Sequence, residues 1–228
     1  MKINGLQKLT LLDFPGRVAC TVFTAGCNLR CPFCHNASLV VGAPEEIMSE
    51  EEFFAFLSKR RGILEGVALT GGEPLLDRDV VGFARRIKEM GFAVKLDTNG
   101  TLPDRLREII DAGAVDYVAM DIKNSPEKYA LTVGADVDLE KIRRSVEILL
   151  SGRVEYEFRT TVTAELHGRD DFVAIGSLIG GASKYYLQQF RDSGELIGTG
   201  LTAPSAETMG DYADAVRPYV NAVMLRGV

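Results

Sequence analysis

The sequence predicts an α/β fold in which a parallel sheet is covered by helices. Apolar, β-branched runs at 18–23, 66–70, 93–98, 115–122, 155–162 and 184–189 have the length of strands. Between them lie longer stretches with apolar residues at three- and four-residue spacing, the period of helices packed on one face. This βαβα rhythm runs on without an internal repeat, low-complexity tract or linker-like segment, so residues 1–228 read as one domain. A doubly wound open sheet and a barrel both satisfy the rhythm. In either, chemistry belongs at the carboxyl ends of the strands, where the βα loops gather.

Each element has a local reason. The run 18–23 (Val-Ala-Cys-Thr-Val-Phe) suits a buried strand, with Cys20 packed inside it as a small apolar thiol. Ser49 followed by Glu52 makes a capping box, opening a helix through Phe53, Phe54 and Leu57. The helices predicted at 79–90, 102–112 and 138–150 stop at or near Gly91, Gly113 and Gly152, since glycine accepts the left-handed turn after a helix. Ser205 opens a last helix with Glu207 in its first turn, and His167 reads as a helix-start residue. The segment 220–225 fits a final short strand or an extended tail.

Composition narrows the class. Hydrophobic residues make up 46% of 228, which suits a sizeable core and leaves no case for disorder. No apolar stretch is long enough to cross a bilayer, so no membrane partner is expected. A net charge of −6 argues against a nucleic-acid binder, which would show a basic face. Nothing at the N-terminus resembles a signal peptide, so a reducing, cytoplasmic setting is expected, where disulfides are rare.

The most informative segment follows the first strand: Cys27-Asn28-Leu29-Arg30-Cys31-Pro32-Phe33-Cys34. Three thiols this close can wrap one inorganic cluster yet cannot fill the four thiolate positions of an ordinary iron–sulfur cluster. One iron would then stay open to a ligand that is not protein. Structural zinc is the rival, because soft thiolates suit it and His35 follows Cys34. Zinc sites, however, usually come as two ligand pairs, and no second pair exists here. Cys20 as a fourth ligand is disfavoured by its place inside the preceding strand.

Further motifs fall at successive strand ends: Leu69-Thr70-Gly71-Gly72-Glu73-Pro74, Asp97-Thr98-Asn99-Gly100 and Met120-Asp121-Ile122-Lys123. With the C-x3-C-x2-C spacing, they resemble the radical S-adenosylmethionine (SAM) enzymes. Leu11-Leu12-Asp13-Phe14-Pro15-Gly16 and Leu225-Arg226-Gly227 narrow the resemblance to activating proteins of glycyl radical enzymes, above all those of anaerobic ribonucleoside-triphosphate reductase. It spans essentially the whole chain and implies a partial (β/α)6 barrel, which periodicity alone would not select.

The resemblance also implies roles. Cys27, Cys31 and Cys34 would hold a [4Fe-4S] cluster whose fourth iron chelates the amino and carboxylate groups of SAM. Gly71 and Gly72 would let the backbone approach that moiety, and Glu73 would help neutralise its ammonium; the alternative is a tight strand-to-helix turn. Phe33 occupies the position that touches adenine. Asp97, Thr98 and Asp121 would bind a monovalent cation beside SAM, the two aspartates being alternatively hydrogen-bonded strand-end carboxylates, and Asn99 would belong to the same cofactor-binding stretch or to an ordinary Asn-Gly turn. Lys123 would reach the cofactor. Arg159, a charge within an apolar strand, should face a wet interior and a carboxylate, close to SAM or the cluster. His35 would shield the cluster edge, and Gln188 is a weakly matched cofactor-facing residue. Residues 13–16 would contact a partner or shape the approach to the first strand. Reduction by a flavodoxin- or ferredoxin-type donor would cleave SAM to a 5′-deoxyadenosyl radical, which takes hydrogen from a glycine of the partner, the anaerobic reductase large subunit. Rival readings are a small-molecule radical SAM enzyme, such as a carboxydeazaguanine synthase, and a non-catalytic iron–sulfur or zinc interaction protein.

Overall fold

Eight strands lie in one sheet in strict chain order: β1 (Gly5–Thr10), β2 (Ala19–Thr24), β3 (Gly66–Gly71), β4 (Ala93–Thr98), β5 (Tyr117–Asp121), β6 (Glu155–Val162), β7 (Tyr185–Gln189) and β8 (Val223–Arg226). The computed structural model describes residues 1–228. β1 pairs antiparallel with β2, and every later neighbour is parallel. A doubly wound sheet would reverse its order at a switch point, and none occurs. β1 and β8 do not pair, so the barrel stays incomplete.

The six predicted strands correspond to β2 through β7. β1 was not anticipated because its side chains are largely exposed, leaving no buried run to read. The open segment 220–225 resolves into β8, paired with β7 from Tyr185↔Val223 to Gln188↔Arg226.

The helices α1 (Ala37–Val41), α2 (Glu50–Ser58), α3 (Val80–Glu89), α4 (Pro103–Asp111), α5 (Tyr129–Val133), α6 (Leu139–Leu150), α7 (Arg169–Leu178) and α8 (Ala206–Val216) fill the connections. The Ser49–Glu52 box forms as expected, each residue's side chain bonding the other's backbone N–H. α7 was marked only at its start, by His167. It starts at Arg169 behind Gly168, whose N–H donates to Asp171 Oδ2 at 2.8 Å. His167 lies before that start and is buried, its Nδ1 accepting from the Thr163 N–H and its Nε2 lying 3.0 Å from the Lys123 carbonyl. It ties β6 to the Lys123 loop from the position just before the Gly168 cap, so the helix starts beside it as expected.

Strand alternation places the site. On β4 to β6, Val94, Leu96, Val118, Met120 and Phe158 are fully buried, while alternate positions carry Lys95, Asp97, Asp121, Glu157 and Arg159. Because successive side chains point to opposite faces, these charges share the inner face of the incomplete barrel. Phe14 plugs its amino-terminal end. Its ring lies 6.3 Å from that of Tyr117, and a Cβ on Gly66 would come within 2.8 Å of it. Phe14-Pro15 thus shapes the approach to β2, whereas Leu11 and Leu12 just before it are exposed.

Candidate active site

The cysteine loop is fixed from several sides. Gly26 N–H donates to the Leu39 carbonyl at 2.9 Å, and Arg30 N–H donates to the Val133 carbonyl of α5 at 2.8 Å. Gly134, which ends α5 at φ 60°, passes so close to the loop that a Cβ would lie 2.8 Å from the Arg30 carbonyl oxygen. Held this way, Cys27, Cys31 and Cys34 line a cavity of about 200 Å³ at the carboxyl ends of the strands. Cys20 is fully buried in β2 away from it, and burial pushes its thiol up to about 12. Burial also pushes Cys31 up to about 11 and raises Cys27, with the Lys123 cation opposing both shifts.

Predicted residues from four strand ends reach the same cavity: Gly71 and Gly72 after β3, Asp97, Thr98 and Asn99 from β4, Asp121 and Lys123 from β5, and Arg159 from β6. Phe33, His35 and Gln188 line it too. Lys123 Nζ sits 5.9 Å above the Phe33 ring, and His35 stacks on Phe190 with its Nε2 2.8 Å from the Arg191 carbonyl oxygen.

Glu73 departs from expectation. It is 1% exposed and does not line the cavity. Its Oε1 accepts from Leu75 N–H at 3.1 Å and Thr98 Oγ1 at 3.0 Å, and its Oε2 from Asn99 N–H at 2.6 Å. A carboxylate so occupied knots the loop after β3 to the loop after β4 and has no face toward SAM. Burial pushes its carboxyl up to about 7 against those donors. The glycines before it have a different reason from the one expected. A Cβ on Gly71, at φ +114°, would meet the Thr24 carbonyl oxygen at 2.4 Å, and one on Gly72 the Gly26 carbonyl oxygen at 1.9 Å. Close passage of the loop over β2 requires glycine here.

The carboxylates of the cation expectation have protein partners in this structure. Asp121 pairs with Arg159 Nε and Lys123 Nζ, each at 2.9 Å, and Asp97 with Lys95 and, at 3.4 Å, Arg159. Burial works against both charged carboxylates, but the cations prevail, holding Asp121 down to about 2 and Asp97 below its usual range. Thr98 Oγ1 donates to Glu73. These oxygens face protein cations, which is the arrangement the strand-end alternative describes. The cations meet one part of the earlier expectation: Arg159 does face carboxylates in a polar interior.

Sequence reasoning missed Lys95 and Glu157, 2% and 1% exposed. Glu157 accepts both ends of the Arg226 guanidinium at 3.0 Å and the Tyr117 hydroxyl at 2.8 Å. The signal was the same one that marked Arg159: a charge at an alternate position of an apolar strand. With Asp97, Arg159 and Gln188 these residues border a second cavity of about 520 Å³, reached beside Leu12, Asp13 and Pro15.

No three His, Cys, Asp or Glu side chains converge on one ion position. A mononuclear zinc site would need that convergence. A cubane takes each thiolate on a different iron, which three thiols spread over one cavity wall can supply. The Radical SAM superfamily family model matches residues 21–170. The chain belongs to the radical SAM superfamily. Its cofactors are accordingly a [4Fe-4S] cluster and SAM. A Methanocaldococcus jannaschii protein named as a glycyl-radical enzyme activating enzyme is 30% identical, over 99% of this chain and 96% of the relative. A 7-carboxy-7-deazaguanine synthase of Hyperthermus butylicus is 38% identical over 42% of this chain and 40% of its own. Streptococcus suis SuiB bound to S-adenosylmethionine shares the fold, at a TM-score of 0.68 and 12% identity over 91% of this chain and 52% of that one. No helix of this chain is long and apolar enough to cross a membrane.

Proposed function

We propose that residues 1–228 act as one radical SAM domain that activates a glycyl radical enzyme, the large subunit of an anaerobic ribonucleoside-triphosphate reductase. The observation that carries this reading is end-to-end likeness to the M. jannaschii protein, which covers both chains almost completely. The carboxydeazaguanine synthase match spans under half of either chain, so the small-molecule reading ranks second.

Cys27, Cys31 and Cys34 would hold the cluster, with proton release from two thiols that burial keeps protonated. The cluster and SAM, once bound, supply one-electron cleavage to a radical that takes a hydrogen atom from a glycine Cα. Lys123 and Arg159, each already paired with Asp121, are the cations at the cavity wall that a carboxylate of SAM would meet. Phe33 offers an apolar ring beside it, and Gly71 and Gly72 line the same cavity. The second cavity, entered between the segment 12–15 and Arg226 of β8, would give a polypeptide segment an approach to Arg159 and Asp97. A flavodoxin or ferredoxin would supply the electron in a cytoplasmic setting.

The test is anaerobic electron paramagnetic resonance of the reduced, iron-loaded protein with SAM and the anaerobic reductase subunit. A glycine-centred doublet on the partner, lost in Cys31→Ala, is expected. 5′-Deoxyadenosine without that doublet would move the assignment to a small-molecule substrate.

A further inference from the structure

Two residues that no motif singles out sit behind Cys27. Asn28 Nδ2 donates to Thr101 Oγ1 at 2.8 Å, Thr101 Oγ1 donates to Asn99 Oδ1 at 2.6 Å, and Asn99 Nδ2 donates to Asn28 Oδ1 at 3.0 Å. The three side chains close a ring in which every member gives one hydrogen bond and takes one. The ring decides which way the Asn99 amide points, because Oδ1 is held by both the hydroxyl and the backbone N–H of Thr101, the latter at 3.0 Å. Its NH2 group is left to face the cysteine loop, and it also lies 3.7 Å from Cys27 Sγ. Glu73 fixes the ring from below through the Asn99 backbone N–H. Cys27 Sγ receives a second donor, the Leu29 N–H, at 3.4 Å. Among the three motif cysteines, Cys27 alone has such a side-chain donor with its orientation locked.

We infer that Asn28 and Thr101 are positioning residues: by locking the Asn99 amide onto Cys27 Sγ they raise the reduction potential of the cluster. Hydrogen bonds to ligand sulfurs stabilise the more negative, reduced state and are among the main settings of cluster potential. The ring matters because an unlocked amide would rotate and present its oxygen, whose negative end would act in the opposite sense. The inference rests on Cys27, Cys31 and Cys34 being the ligands.

The experiment is a redox titration of the reconstituted protein without SAM, followed by electron paramagnetic resonance, in wild type, Thr101→Val, Thr101→Ser, Asn28→Ala and the Thr101→Val/Asn28→Ala double variant. Iron content of each is measured first. At a fixed potential Thr101→Val should lower the ratio of reduced to oxidised cluster about tenfold, or about 59 mV for one electron. Thr101→Ser, which keeps the hydroxyl, should restore the wild-type value. Asn28→Ala should shift the midpoint in the same direction, and the double variant should go no further than the larger single, since both break one ring. If Thr101→Val fails to fold, Asn28→Ala carries the test. Unchanged midpoints at full iron content overturn the inference while leaving the cysteine assignment intact. Additive shifts overturn the ring. Full iron content in Cys27→Ala would overturn the ligand assignment instead, and iron loss in both ring variants would make the ring a requirement for assembly, defeating its role as a tuning device.

Discussion

Two cavities share a wall made by Arg159, Asp97 and Gln188 and differ in what their polar groups face. Away from the cysteines, charges answer one another: Lys95 with Asp97, Arg226 with Glu157, and Asp13 capped by the Thr21 hydroxyl at 2.5 Å. On the cysteine side Asp121 answers Lys123 and Arg159 in the same way, but three thiols stand beside them with amide donors, and no disulfide occupies them. A saturated network resists change because each charge is held by its opposite. Unsaturated soft ligands can accept new bonds. The same strands therefore build a rigid frame at one end and a loading site at the other.

The largest expected effect breaks the loading site alone. Cys27→Ala, Cys31→Ala or Cys34→Ala should abolish iron binding on anaerobic reconstitution, while Cys20→Ala, buried in β2, should bind iron as wild type does. Far-ultraviolet circular dichroism should be unchanged in all four. Normal iron content in the three motif variants would remove the distinction between the two ends.

Arg159 belongs to both cavities, so its loss should weaken the frame itself. Arg159→Met leaves the partly buried Asp97 and Asp121 with only Lys95 and Lys123. Unpairing buried charges costs about 3–5 kcal/mol, and the remaining lysines should hold this case to about 3. Urea unfolding of the iron-free protein measures it, and a loss below about 1 kcal/mol would show the wall to be no structural unit.

The frame was more legible in sequence than the site's wiring. Periodicity found β2 to β7 because their outer faces are continuous apolar runs. β1 hid because it is an edge strand with exposed side chains, and the extent of α7 because its start at Gly168 carries no side-chain cap. Motifs found most of the cavity's polar residues, since these lie in the cysteine loop or at strand ends, while Arg159, inside β6, came from alternation. They misplaced Glu73 and left the partners of Asp97 and Asp121 unread, because a motif gives position but not partners. Only the folded chain shows that Glu73 spends its oxygens on Leu75, Thr98 and Asn99. Lys95 and Glu157 were readable by the alternation argument that found Arg159.

Glu73 turns that misassignment into a pH effect. Burial raises its carboxyl from the ordinary 4.5 to about 7, so between those values the folded chain binds more protons than the unfolded one. Stability attributable to Glu73 therefore falls as pH rises through this window. At about 1.36 kcal/mol per unit, the contribution is on the order of 2 kcal/mol between pH 5 and pH 8. Buried His167, whose pKa burial lowers, works in the other direction near pH 6, but it is present in both proteins of the test. The difference between wild type and Glu73→Gln at the two pH values isolates the carboxyl. The Gln variant should lose less on going to pH 8. An equal loss in both proteins would mean that the Glu73 carboxyl does not titrate in this window.

The smallest effect should be confined to the far cavity. Arg226 forks onto Glu157 with two 3.0 Å hydrogen bonds, and its guanidinium lies 3.5 Å from the centre of the Tyr186 ring. Arg226→Lys keeps the charge but loses the fork and the flat stacking face, which should cost about 1 kcal/mol because lysine does not reproduce bidentate geometry. Arg159 and Asp97 stand between this pair and the thiols. Iron content, cluster spectrum and the change produced by SAM should therefore match wild type even as the urea midpoint falls. A changed cluster spectrum with unchanged stability would mean the charges of the far cavity act on the cysteine end through the shared wall. The saturated end would then have to be counted as part of the reactive one.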